Sequence, residues 1–550
     1  MKTSRIFRIF MMALDTIILV LIRPFRRFTK LFVHENPDDG IKEPHATKNT
    51  EPELLGIKPE LEVNGVPVKE YKRSEPIYFD PDKKYSEREG ICTFRGDNFR
   101  SSAAYGTAPL KEKKLEIEWS IPTGKLKKGY GNGYWTGSGW TGQPLIVKWA
   151  DKEKENMNLS SKAKADPDFT EAVYSTMDGK VYFTDIRTGE KSREEINVGL
   201  PFKGAGALHP SLPLLHLGPG DSGPDKKKDY ARAYLYSLTN GEKLLEYGGG
   251  PDPFALRVFH GFDSSPLFSK ETDTLIEPSE NGILYTIKLN SSFDENGNIK
   301  IAPSETVKLR YSTSRSSEEK YWLGMEDSAV IYKNWLYIAD NGGNLLCIDV
   351  NTMKVIWAQD VCDDTNGSPV LSIEEGVPYI YIATSLHWTA SRLFKLGDVP
   401  IFKINALTGE YVWRRTYLCN TVAGISGGIQ ATCVLGKGNI DNLVIFPVAR
   451  TPHVRSGYLV ALDKKTGKEV WKLKMRRYAW SSPVAVYDKE GNACIIIGDC
   501  EGRLYLVDGV TGSVLDTIEL GANIEASPAV YEDTIVVGTR GQKIFGIKIK

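Results

Sequence analysis

The sequence lacks the cysteine and histidine patterns of common metal and redox sites. Its seven cysteines form no C-x-x-C pair, and their odd number leaves one unpaired in any disulfide scheme. We expect buried structural thiols at Cys92, Cys347, Cys362, Cys419, Cys433, Cys494 and Cys500. The histidines show neither H-x-x-x-H nor H-E-x-x-H spacing, so the pattern predicts no metal site.

The sequence also lacks an excess of charge of either sign. Lysine and arginine together number 70, as do aspartate and glutamate, and no long basic tract is present. A nucleic-acid-binding surface needs clustered positive charge, so no nucleic-acid partner is predicted. Apolar residues make up 41% of the chain, which is the proportion of an ordinary globular protein with a packed core.

Long hydrophobic runs are absent except near the start. Residues 9–22, IFMMALDTIILVLI, are apolar apart from Asp15 and Thr16, and basic residues flank them on both sides. As a helix this run would reach about 21 Å, short of a roughly 30 Å hydrocarbon core, but flanking arginines can snorkel to close the gap. No small-residue cleavage site follows. We predict an uncleaved membrane anchor in residues 1–33, with residues 5–27 at the membrane; an interfacial amphipathic helix is the alternative.

The next segment is rich in proline and charge. Residues 34–88 hold seven prolines and many alternating charges, as in HENPDDGIKEPHATKNTEPE. Such a composition buries too little apolar surface to fold alone, so an extended tether is predicted here. The remaining residues, 89–550, are predicted to form a single repetitive domain.

From residue 173 onward a short pattern repeats. It consists of an alternating apolar strand, an Asp or Asn, a Thr-Gly and, in the best copies, a Trp, as in ALDKKTGKEVW at 461–471. The pattern residues are Asp185; Asp349 and Trp357; Asn405, Gly409 and Trp413; Asp463, Gly467 and Trp471; and Asp508 and Gly512. From Asp349 on, the copies lie 56, 58 and 45 residues apart. A period of about 40–60 residues with alternating apolar positions is typical of a four-stranded propeller blade.

The chemistry of the pattern fits an outer β-hairpin. An Asp or Asn at the strand end can accept hydrogen bonds from the N–H groups of the following turn. Gly467 supplies the positive φ that a tight connection requires. The Trp on the return strand offers a large flat surface to the next sheet, so it is expected to be a wedge between blades.

Innermost strands, often led by Ser-Pro, can be counted along the chain. There are eight, and they start near Gln143, His209, Ser264, Asp327, Gly367, Gly428, Ser481 and Ala526. The last module has only three strands, which would leave an unpaired sheet edge. The segment KLEIEWSIP at 114–122 alternates correctly, and its Trp119 stands where the outer-strand Trp belongs. We predict an all-β, eight-bladed propeller closed by residues 114–122 joining the last blade.

These motifs, with TFRGDNFRSSAAYG at 93–106, resemble the PQQ-binding-like β-propeller superfamily in its eight-bladed form. Its members include quinoprotein alcohol dehydrogenases and BamB-type outer-membrane assembly lipoproteins, and the resemblance covers roughly residues 92–550. In the dehydrogenases the cofactor lies in the central funnel beneath a ring formed by two adjacent cysteines, with a calcium ion held by acidic and amide side chains and an Asp as base. This sequence has no adjacent cysteines, so no catalytic residue is carried over.

Acidic, aromatic and histidine side chains stand just before the predicted inner strands, where the funnel should open. The ligand-binding candidates are Trp140, His209, His260, Asp263, Asp327, Asp363, Trp388, Trp480 and Glu525, and Glu326, Asp364 and His453 stand at similar positions. Such groups at a propeller mouth can hold a sugar, a peptide or a planar ligand, and the alternative is that they plug the channel. The GISGG stretch at 424–428 begins an inner strand and not a strand-to-helix elbow, so hydrolase chemistry is not expected.

The leading functional prediction is a non-enzymatic, membrane-tethered propeller without a cofactor. It would bind a protein or cell-envelope component through one end of its ring, because a rigid toroid with variable loops suits docking. One alternative is a PQQ- and calcium-dependent oxidoreductase with an atypical site, and another is carbohydrate binding in the funnel. The resemblance and the anchor favour a location outside the cytoplasm, whereas the free thiols weigh against it.

Overall fold

The computed structural model describes most of the chain. The described residues are 31–34, 40–129, 131–139, 142–223, 225, 229–250, 252–316, 323–387, 396–422 and 427–550. The anchor predicted at residues 9–22, the candidates Trp140 and Trp388, and positions 424–426 of GISGG therefore lie outside it. Within the part described, no helix has both the length and the apolar character needed to cross a bilayer.

Eight antiparallel sheets form the blades, and the strands of each follow one another from the channel outward. Blade 1 contains Leu145–Lys148, Thr170–Ser175, Lys180–Asp185 and Ile196–Asn197. Blade 2 contains Ala207–Leu208, Leu214–Leu217, Ala233–Ser237 and Lys243–Tyr247. Blade 3 contains Leu267–Ser269, Thr274–Pro278, Leu284–Lys288 and Glu305–Ser312, and blade 4 contains Val330–Tyr332, Trp335–Ala339, Asn344–Asp349 and Lys354–Asp360.

The second half of the ring follows the same plan. Blade 5 contains Val370–Glu374, Val377–Ala383, Leu396–Asn405 and Tyr411–Asn420. Blade 6 contains Ser385–Leu386, Gly427–Gly428, Leu443–Ala449, Gly457–Asp463 and Glu469–Met475, with Val434–Leu435 paired to Leu443–Ala449. Blade 7 contains Val484–Tyr487, Ala493–Gly498, Arg503–Asp508 and Val514–Glu519. Blade 8 contains Ala529–Tyr531, Thr534–Thr539, Lys543–Ile549 and Leu115–Pro122.

Short elements decorate this ring. Two hairpins stand outside the blades, Lys125–Lys127 with Tyr134–Thr136 and Ser292–Phe293 with Ile299–Lys300. Helix α1 (Asp151–Asn156) and helix α2 (Ser161–Ala165) lie between the first two strands of blade 1, and 3₁₀ turns occur at Pro52–Leu55 and Gly438–Ile440. Innermost strands Gly90–Ile91 and Ala104–Tyr105 are added to blades 1 and 8. Outermost strands are added to blade 3 (Lys58–Val63 and Val66–Val68) and to blade 5 (Leu31–Val33).

The predicted architecture and ring closure are confirmed. Strand Leu115–Pro122 pairs antiparallel with Lys543–Ile549, and Trp119 lies opposite Gly546. The early segment thereby supplies the fourth strand that the last blade lacks, so no sheet edge is left open at the point where the ring closes.

The predicted blade-to-blade wedge is also confirmed, and its geometry is repeated at four junctions. Each indole N–H donates to the carbonyl of the residue that follows the Asp or Asn of the next blade. The four pairs are Trp119 with Ile186 (2.8 Å), Trp357 with Ala406 (3.1 Å), Trp413 with Lys464 (2.9 Å) and Trp471 with Gly509 (3.0 Å). The ring lies on the turn glycine of that blade: a Cβ added to Gly467, which has φ +66°, would lie 2.7 Å from Trp413. Only glycine satisfies both the turn and the approach of the indole.

The Asp of the pattern organises the turn as expected. The carboxylate of Asp463 accepts hydrogen bonds from the backbone N–H (2.8 Å) and the hydroxyl (2.6 Å) of Thr466. Asp508 makes the same pair of contacts with Thr511. The Thr therefore recurs because its hydroxyl satisfies the carboxylate that caps the turn.

A second repeated contact explains the Ser-Pro starts of the inner strands. The hydroxyl at the Ser position of this motif, which is Ser or Thr and precedes proline in most blades, accepts a hydrogen bond from the backbone N–H of its counterpart in the preceding blade. The series runs Ser265 to Ser328 (2.8 Å), Ser328 to Ser368 (2.8 Å), Ser368 to Thr432 (3.0 Å), Thr432 to Ser482 (3.1 Å) and Ser482 to Ser527 (3.2 Å). These bonds form a belt around the channel across blades 3 to 8.

The segment predicted to be a tether lies against the ring. Ile57, Leu61, Ile77 and Tyr85 are buried in one apolar cluster with side chains of blades 3 and 4. The guanidinium of Arg73 donates to the carbonyl of Val350 (3.3 and 3.4 Å), which is the position that the wedge Trp occupies at other junctions. The segment buries too little surface to fold alone. It folds against the edge of blade 3 and against the junction of blades 3 and 4, where no Trp is present.

The ring has two different faces. One face carries the connections between blades and is called the funnel face. The inner strand of each blade starts at this face and runs toward the opposite face. The opposite face carries the turns between the first and second and between the third and fourth strands, and is called the closed face. The Asp-x-x-Thr-Gly turns lie on the closed face, and the candidate residues before inner strands lie on the funnel face.

Candidate functional site

The central channel is crossed by the segment TFRGDNFRSSAAYG. Backbone hydrogen bonds join this segment, together with the preceding Cys92, to inner strands of blades 2, 4, 5 and 8: Cys92 to Leu208, Asn98 to Ile331, Phe99 to Leu371 and Ala103 to Val530. The Thr93 hydroxyl donates to the carbonyl of Pro266 (2.9 Å) in blade 3. The motif that carries part of the family resemblance is therefore a plug that links the blades from inside the ring.

Two fully buried arginines fasten this plug. Arg95 donates to the carbonyls of Pro483 (2.7 Å) and Cys433 (2.8 Å), in the connections that enter blades 7 and 6. Arg100 donates to the carbonyl of Ala329 (3.0 Å) in blade 4 and to that of Ser265 (2.6 Å) in blade 3. Burial lowers the pKa of both guanidinium groups to about 10, so both remain charged near neutral pH. Carbonyl oxygens turned into the channel provide the compensation that a buried cation needs.

Above the plug, three carboxylates converge on the funnel side. Asp263, Glu280 and Glu326 each place an oxygen within 4.8 Å of the others. Asp263 and Glu326 precede the inner strands of blades 3 and 4, whereas Glu280 lies in the turn between two strands of blade 3. Asp263 and Glu280 are almost completely buried. The sequence predicted Asp263 and missed Glu280, because Glu280 follows a second strand and does not stand before an inner one.

A lysine lies beside this carboxylate cluster. Lys203 Nζ is 3.7 Å from Asp263 Oδ2 and 4.0 Å from Asp221 Oδ2, and its side chain is 14% exposed. Arg257 Nη1 adds a second cation 3.6 Å from Glu280 Oε2. The cluster is therefore balanced in part by cations of the same chain. No sequence pattern marks Lys203, which comes from the connection between blades 1 and 2.

Burial and charge together set the protonation of the cluster. Burial raises the pKa of Asp263 to about 7, against the opposing charge of Lys203. Burial, with the neighbouring carboxylates of Glu326 and Asp263, holds the pKa of Glu280 well above its usual range. Burial alone would lower the pKa of Lys203, but Asp263, Glu280 and Asp221 outweigh it and raise that pKa above its ordinary value. Near neutral pH the lysine is charged, and burial beside other carboxylates favours the neutral form of Glu280.

Aromatic side chains cover the cluster. Lys203 Nζ lies 5.8 Å from the ring centre of Trp135 and 5.4 Å from that of Phe259. Trp135 belongs to the hairpin between blades 8 and 1 and is only 8% exposed. His260 follows Phe259 and packs edge-on against Tyr230, with ring centres 6.4 Å apart. Cation–π contacts with Lys203 fix the cover over the carboxylates.

The acidic sector continues into blades 4 and 5. Asn366 Nδ2 donates to Glu326 Oε2 (2.6 Å), and the Asp364 backbone N–H donates to Asp363 Oδ1 (2.9 Å). Burial, followed by the charge of Asp340, holds the pKa of Asp327 well above its usual range. Burial, followed by Glu326, does the same for the pKa of Asp364. Of the sequence-predicted group, Asp263, Asp327 and Asp363 are thus brought into one sector of the funnel.

The remaining candidates are dispersed. Trp480 packs on Tyr478, with ring centres 5.5 Å apart, and Arg450 lies 4.3 Å from the Tyr478 ring centre. Glu525 accepts from Asn523 Nδ2 (2.7 Å) and lies 3.8 Å from Arg540 Nε. Both Trp480 and Glu525 lie on the funnel face, on blades 6 to 8.

His209 is not brought to the funnel. The inner strand of blade 2 ends at Leu208, so His209 begins the turn on the closed face. Its Nδ1 accepts from the backbone N–H groups of Ser211 (3.2 Å) and Leu212 (3.1 Å), and the residue is 1% exposed. The strand starts before the histidine and not after it, so His209 supports a turn and takes no part in the funnel.

Comparisons with known proteins are consistent with this architecture. A family model described as outer membrane protein assembly factor BamB matches residues 455–550. The outer membrane protein assembly factor BamB of Kangiella koreensis is 22% identical over 201 residues, which are 36% of this chain and 44% of that protein. This chain thus matches less than half the length of that relative.

Two solved structures are similar to this chain at low sequence identity. The quinohemoprotein alcohol dehydrogenase ADHIIG of Pseudomonas putida has 12% identity and a TM-score of 0.51, covering 84% of this chain and 80% of that one. BamB of Moraxella catarrhalis has 12% identity and a TM-score of 0.47, covering 79% of this chain and 100% of that one. The resemblance indicated by the sequence motifs is confirmed, and the structural likeness extends to fold only.

Proposed function

We propose that this protein is a non-enzymatic, membrane-tethered propeller that binds a protein or another cell-envelope component through one end of its ring. The observation that carries this proposal is that side chains of the same chain occupy the space beside the carboxylate cluster. Lys203 supplies a cation beside Asp263, and Trp135 and Phe259 cover that lysine. The chain's own side chains thus take the place that a charged or planar ligand would need, which suits a rigid scaffold.

The similarity to BamB supports the same proposal. The matched relative is named as an outer membrane protein assembly factor, and the family match lies within blades 6 to 8. A role in assembling envelope proteins, with the ring outside the cytoplasm, is consistent with this likeness. The anchor predicted for residues 1–33, less Leu31–Val33, which form a strand on blade 5, would then hold the ring at a membrane.

Site-specific photo-crosslinking in intact cells tests whether the ring is a binding platform, that is, whether it binds a protein through one of its ends. Crosslinking residues would replace Phe293 and Val510 on the closed face, Val258 on the funnel face and Val66 on the outer rim, all of which are exposed. A platform predicts discrete protein adducts from one end of the ring and none from the rim position. Adducts spread evenly over both ends and the rim, or none at any position, would contradict it.

A second candidate function is a PQQ-dependent oxidoreductase, and the carboxylate cluster is the observation that favours it. Three carboxylates within 4.8 Å are a suitable donor set for a hard divalent cation such as calcium. Asp263, Glu280 and Glu326 would hold that ion, and a bound quinone would supply the acceptor for electrons from an alcohol or sugar. The fit is incomplete, because Lys203 lies against Asp263 and the sequence has no adjacent cysteines.

Reconstitution separates the two candidates. Purified protein would be incubated with PQQ and calcium, and dye reduction would be followed with alcohols and sugars. The platform predicts no dye reduction in the wild type or in Lys203→Met, a variant in which the cation beside the carboxylates is removed. Turnover by the wild type would establish the oxidoreductase instead.

A further inference from the structure

Two loops on the funnel face carry exposed apolar side chains. The hairpin Lys125–Lys127 with Tyr134–Thr136 belongs to the connection between blades 8 and 1. The second loop, around residues 252–262, belongs to the connection between blades 2 and 3. Connections of this kind all lie on the funnel face, so both loops point the same way out of the ring.

The hairpin has an inward and an outward side. Leu126 pairs with Trp135, and Lys127 pairs with Tyr134. Because cross-strand partners share a side of a hairpin, Leu126 and the buried Trp135 face the ring while Lys127 and Tyr134 face away from it. Tyr134 is 51% exposed, and Lys125 Nζ lies 4.8 Å from its ring centre. The outward side therefore combines lysines with an aromatic ring.

The second loop repeats this alternation. Arg257 Nη1 donates to the carbonyl of Glu280 (2.8 Å), and the half-buried Phe259 lies over Lys203. The loop exposes Val258 (88%) between these two inward anchors and Leu256 just before them. A single exposed valine is ordinary on a soluble protein, so Val258 carries weight only together with the other apolar and basic groups of this face.

Lys203 joins the two loops into one surface. The rings of Trp135 and Phe259 both lie within 5.8 Å of its ammonium group. Tyr134 and Val258 adjoin these rings in sequence. The exposed residues Lys125, Lys127, Tyr134, Leu256 and Val258 lie on these two loops of the funnel face and are together called the funnel-face patch.

The path of the chain relates this patch to the predicted anchor. Strand Leu31–Val33 runs antiparallel to Tyr411–Asn420, with Leu31 opposite Arg415 and Val33 opposite Trp413. Tyr411–Asn420 runs from the closed face to the funnel face, so Leu31–Val33 runs away from the funnel face. The amino end of this strand, at Leu31, is therefore its end toward the funnel face, and the apolar run at residues 9–22 ends only eight residues earlier in the sequence.

We propose that the funnel-face patch docks on an anionic lipid bilayer, so that the funnel end of the ring faces the membrane. Leu256 and Val258 enter the acyl boundary, Tyr134 lies at headgroup level, and Lys125 and Lys127 pair with lipid phosphates. This inference rests on the membrane tether of the proposed function. It assigns the funnel end to lipid and leaves the closed face, with its exposed Phe293 and Val510, for a protein partner.

The experiment uses full-length protein and two measurements on the same sample. Flotation with phosphatidylcholine vesicles, with and without phosphatidylglycerol, reports the tether. An environment-sensitive fluorescent residue in place of Val258 reports the patch, and the matched control carries it in place of Val510 on the closed face. We expect a blue shift at position 258 that grows with phosphatidylglycerol, no shift at position 510, and loss of the phosphatidylglycerol dependence in Lys125→Gln/Lys127→Gln.

The outcomes distinguish lipid docking of the funnel-face patch from the membrane tether on which it rests. Protein that floats without a shift at position 258, or with equal shifts at both positions, would overturn the inference and leave the tether standing. Protein that neither floats nor shifts would overturn both. A shift at position 258 produced by detergent-solubilised envelope proteins without vesicles would assign the patch to a protein and overturn the lipid assignment.

Discussion

Two groups of junctions in this ring are built from different side chains. Junctions 4/5, 5/6, 6/7 and 8/1 use an indole that donates to the next blade, whereas junctions 1/2 and 3/4 use a guanidinium. Arg193 donates to the carbonyl of Leu238 (2.8 Å) at junction 1/2, and Arg73 donates to that of Val350 at junction 3/4. The same backbone acceptor is thus satisfied in both groups.

The difference indicates where the ring is generic and where it is specialised. The family match at 455–550 covers part of blade 6 and blades 7 and 8, while the carboxylate cluster lies at blades 3 and 4 and the funnel-face patch on the 8/1 and 2/3 connections. A Trp wedge needs only the repeat itself. The arginine junctions each add a contact outside the repeat, which is the buried Glu171 for Arg193 and the early segment that carries Arg73.

The largest expected effect comes from removing a wedge in the Trp group. Trp413 is fully buried, and Trp413→Ala removes its packing on Gly467 together with the hydrogen bond to Lys464. We expect a loss of about 3–5 kcal/mol in the free energy of unfolding, measured by urea denaturation. Trp413→Phe is the control and should lose less. A loss below about 1 kcal/mol would show that the junction does not depend on the indole.

A somewhat smaller effect is expected at the matched arginine junction. Arg193 pairs with the buried Glu171 (2.7 Å), so Arg193→Met leaves a carboxylate without its cation. We expect a loss of about 3 kcal/mol by the same assay. The double variant Arg193→Met/Glu171→Gln should recover much of it, because the unpaired charge is gone. Equal losses of stability in the single and double variants would show that Arg193 contributes by packing and not by pairing with Glu171. The arginine junctions would then not differ in kind from the Trp junctions.

The pH dependence of stability sharpens the comparison, because blade 2 buries a titratable group. His216 is fully buried, and burial lowers its pKa to about 3. Below its unfolded pKa of about 6.5 the unfolded chain binds a proton that the folded chain does not, so stability present above that pH is lost as pH falls toward 3. At pH 5 we expect a loss of about 2 kcal/mol relative to pH 7.5 from this group. His216→Gln should flatten the difference, and an unchanged pH profile would contradict the assignment.

The smallest effect is expected in the hydroxyl belt. Ser482→Ala removes one acceptor, for the N–H of Thr432 (3.1 Å), and leaves the strands in place. We expect a loss of about 1 kcal/mol. At blades 1 and 2 the acceptors are the backbone carbonyls of Gly142 and Gly206, so no side-chain substitution there removes an equivalent acceptor. A loss as large as that of Trp413→Ala would reverse the ranking of wedge and belt.

Much of the fold could be predicted from the sequence because each blade repeats the same local chemistry. The Asp, Thr-Gly and Trp positions, the eight inner strands and the closing strand with Trp119 all follow from spacing and alternation. The packing of residues 40–88 could not be predicted, because it depends on the absence of a wedge Trp between blades 3 and 4. Only when that absence is known does the sequence suggest that Arg73 takes the place of the Trp.

The candidate site was predictable only in part. Asp263, Asp327 and Asp363 precede inner strands and could be placed at the funnel from position alone. Glu280 and Lys203 come from other turns, and no pattern in the sequence distinguishes them from solvated charges. His209 lies on the closed face because its strand starts at Ala207, two residues earlier than the pattern indicates. In so short a strand, this difference places His209 after the last residue of the strand and not at its start.

Closure of the ring by its own early segment is the central feature of this architecture. Hydrogen–deuterium exchange of the full-length protein, read by mass spectrometry, tests this directly. Residues 115–122 should exchange as slowly as residues 543–549, with which they pair, and residues 92–105 should be protected inside the channel. Rapid exchange of residues 115–122 beside a protected 543–549 would contradict the closed ring.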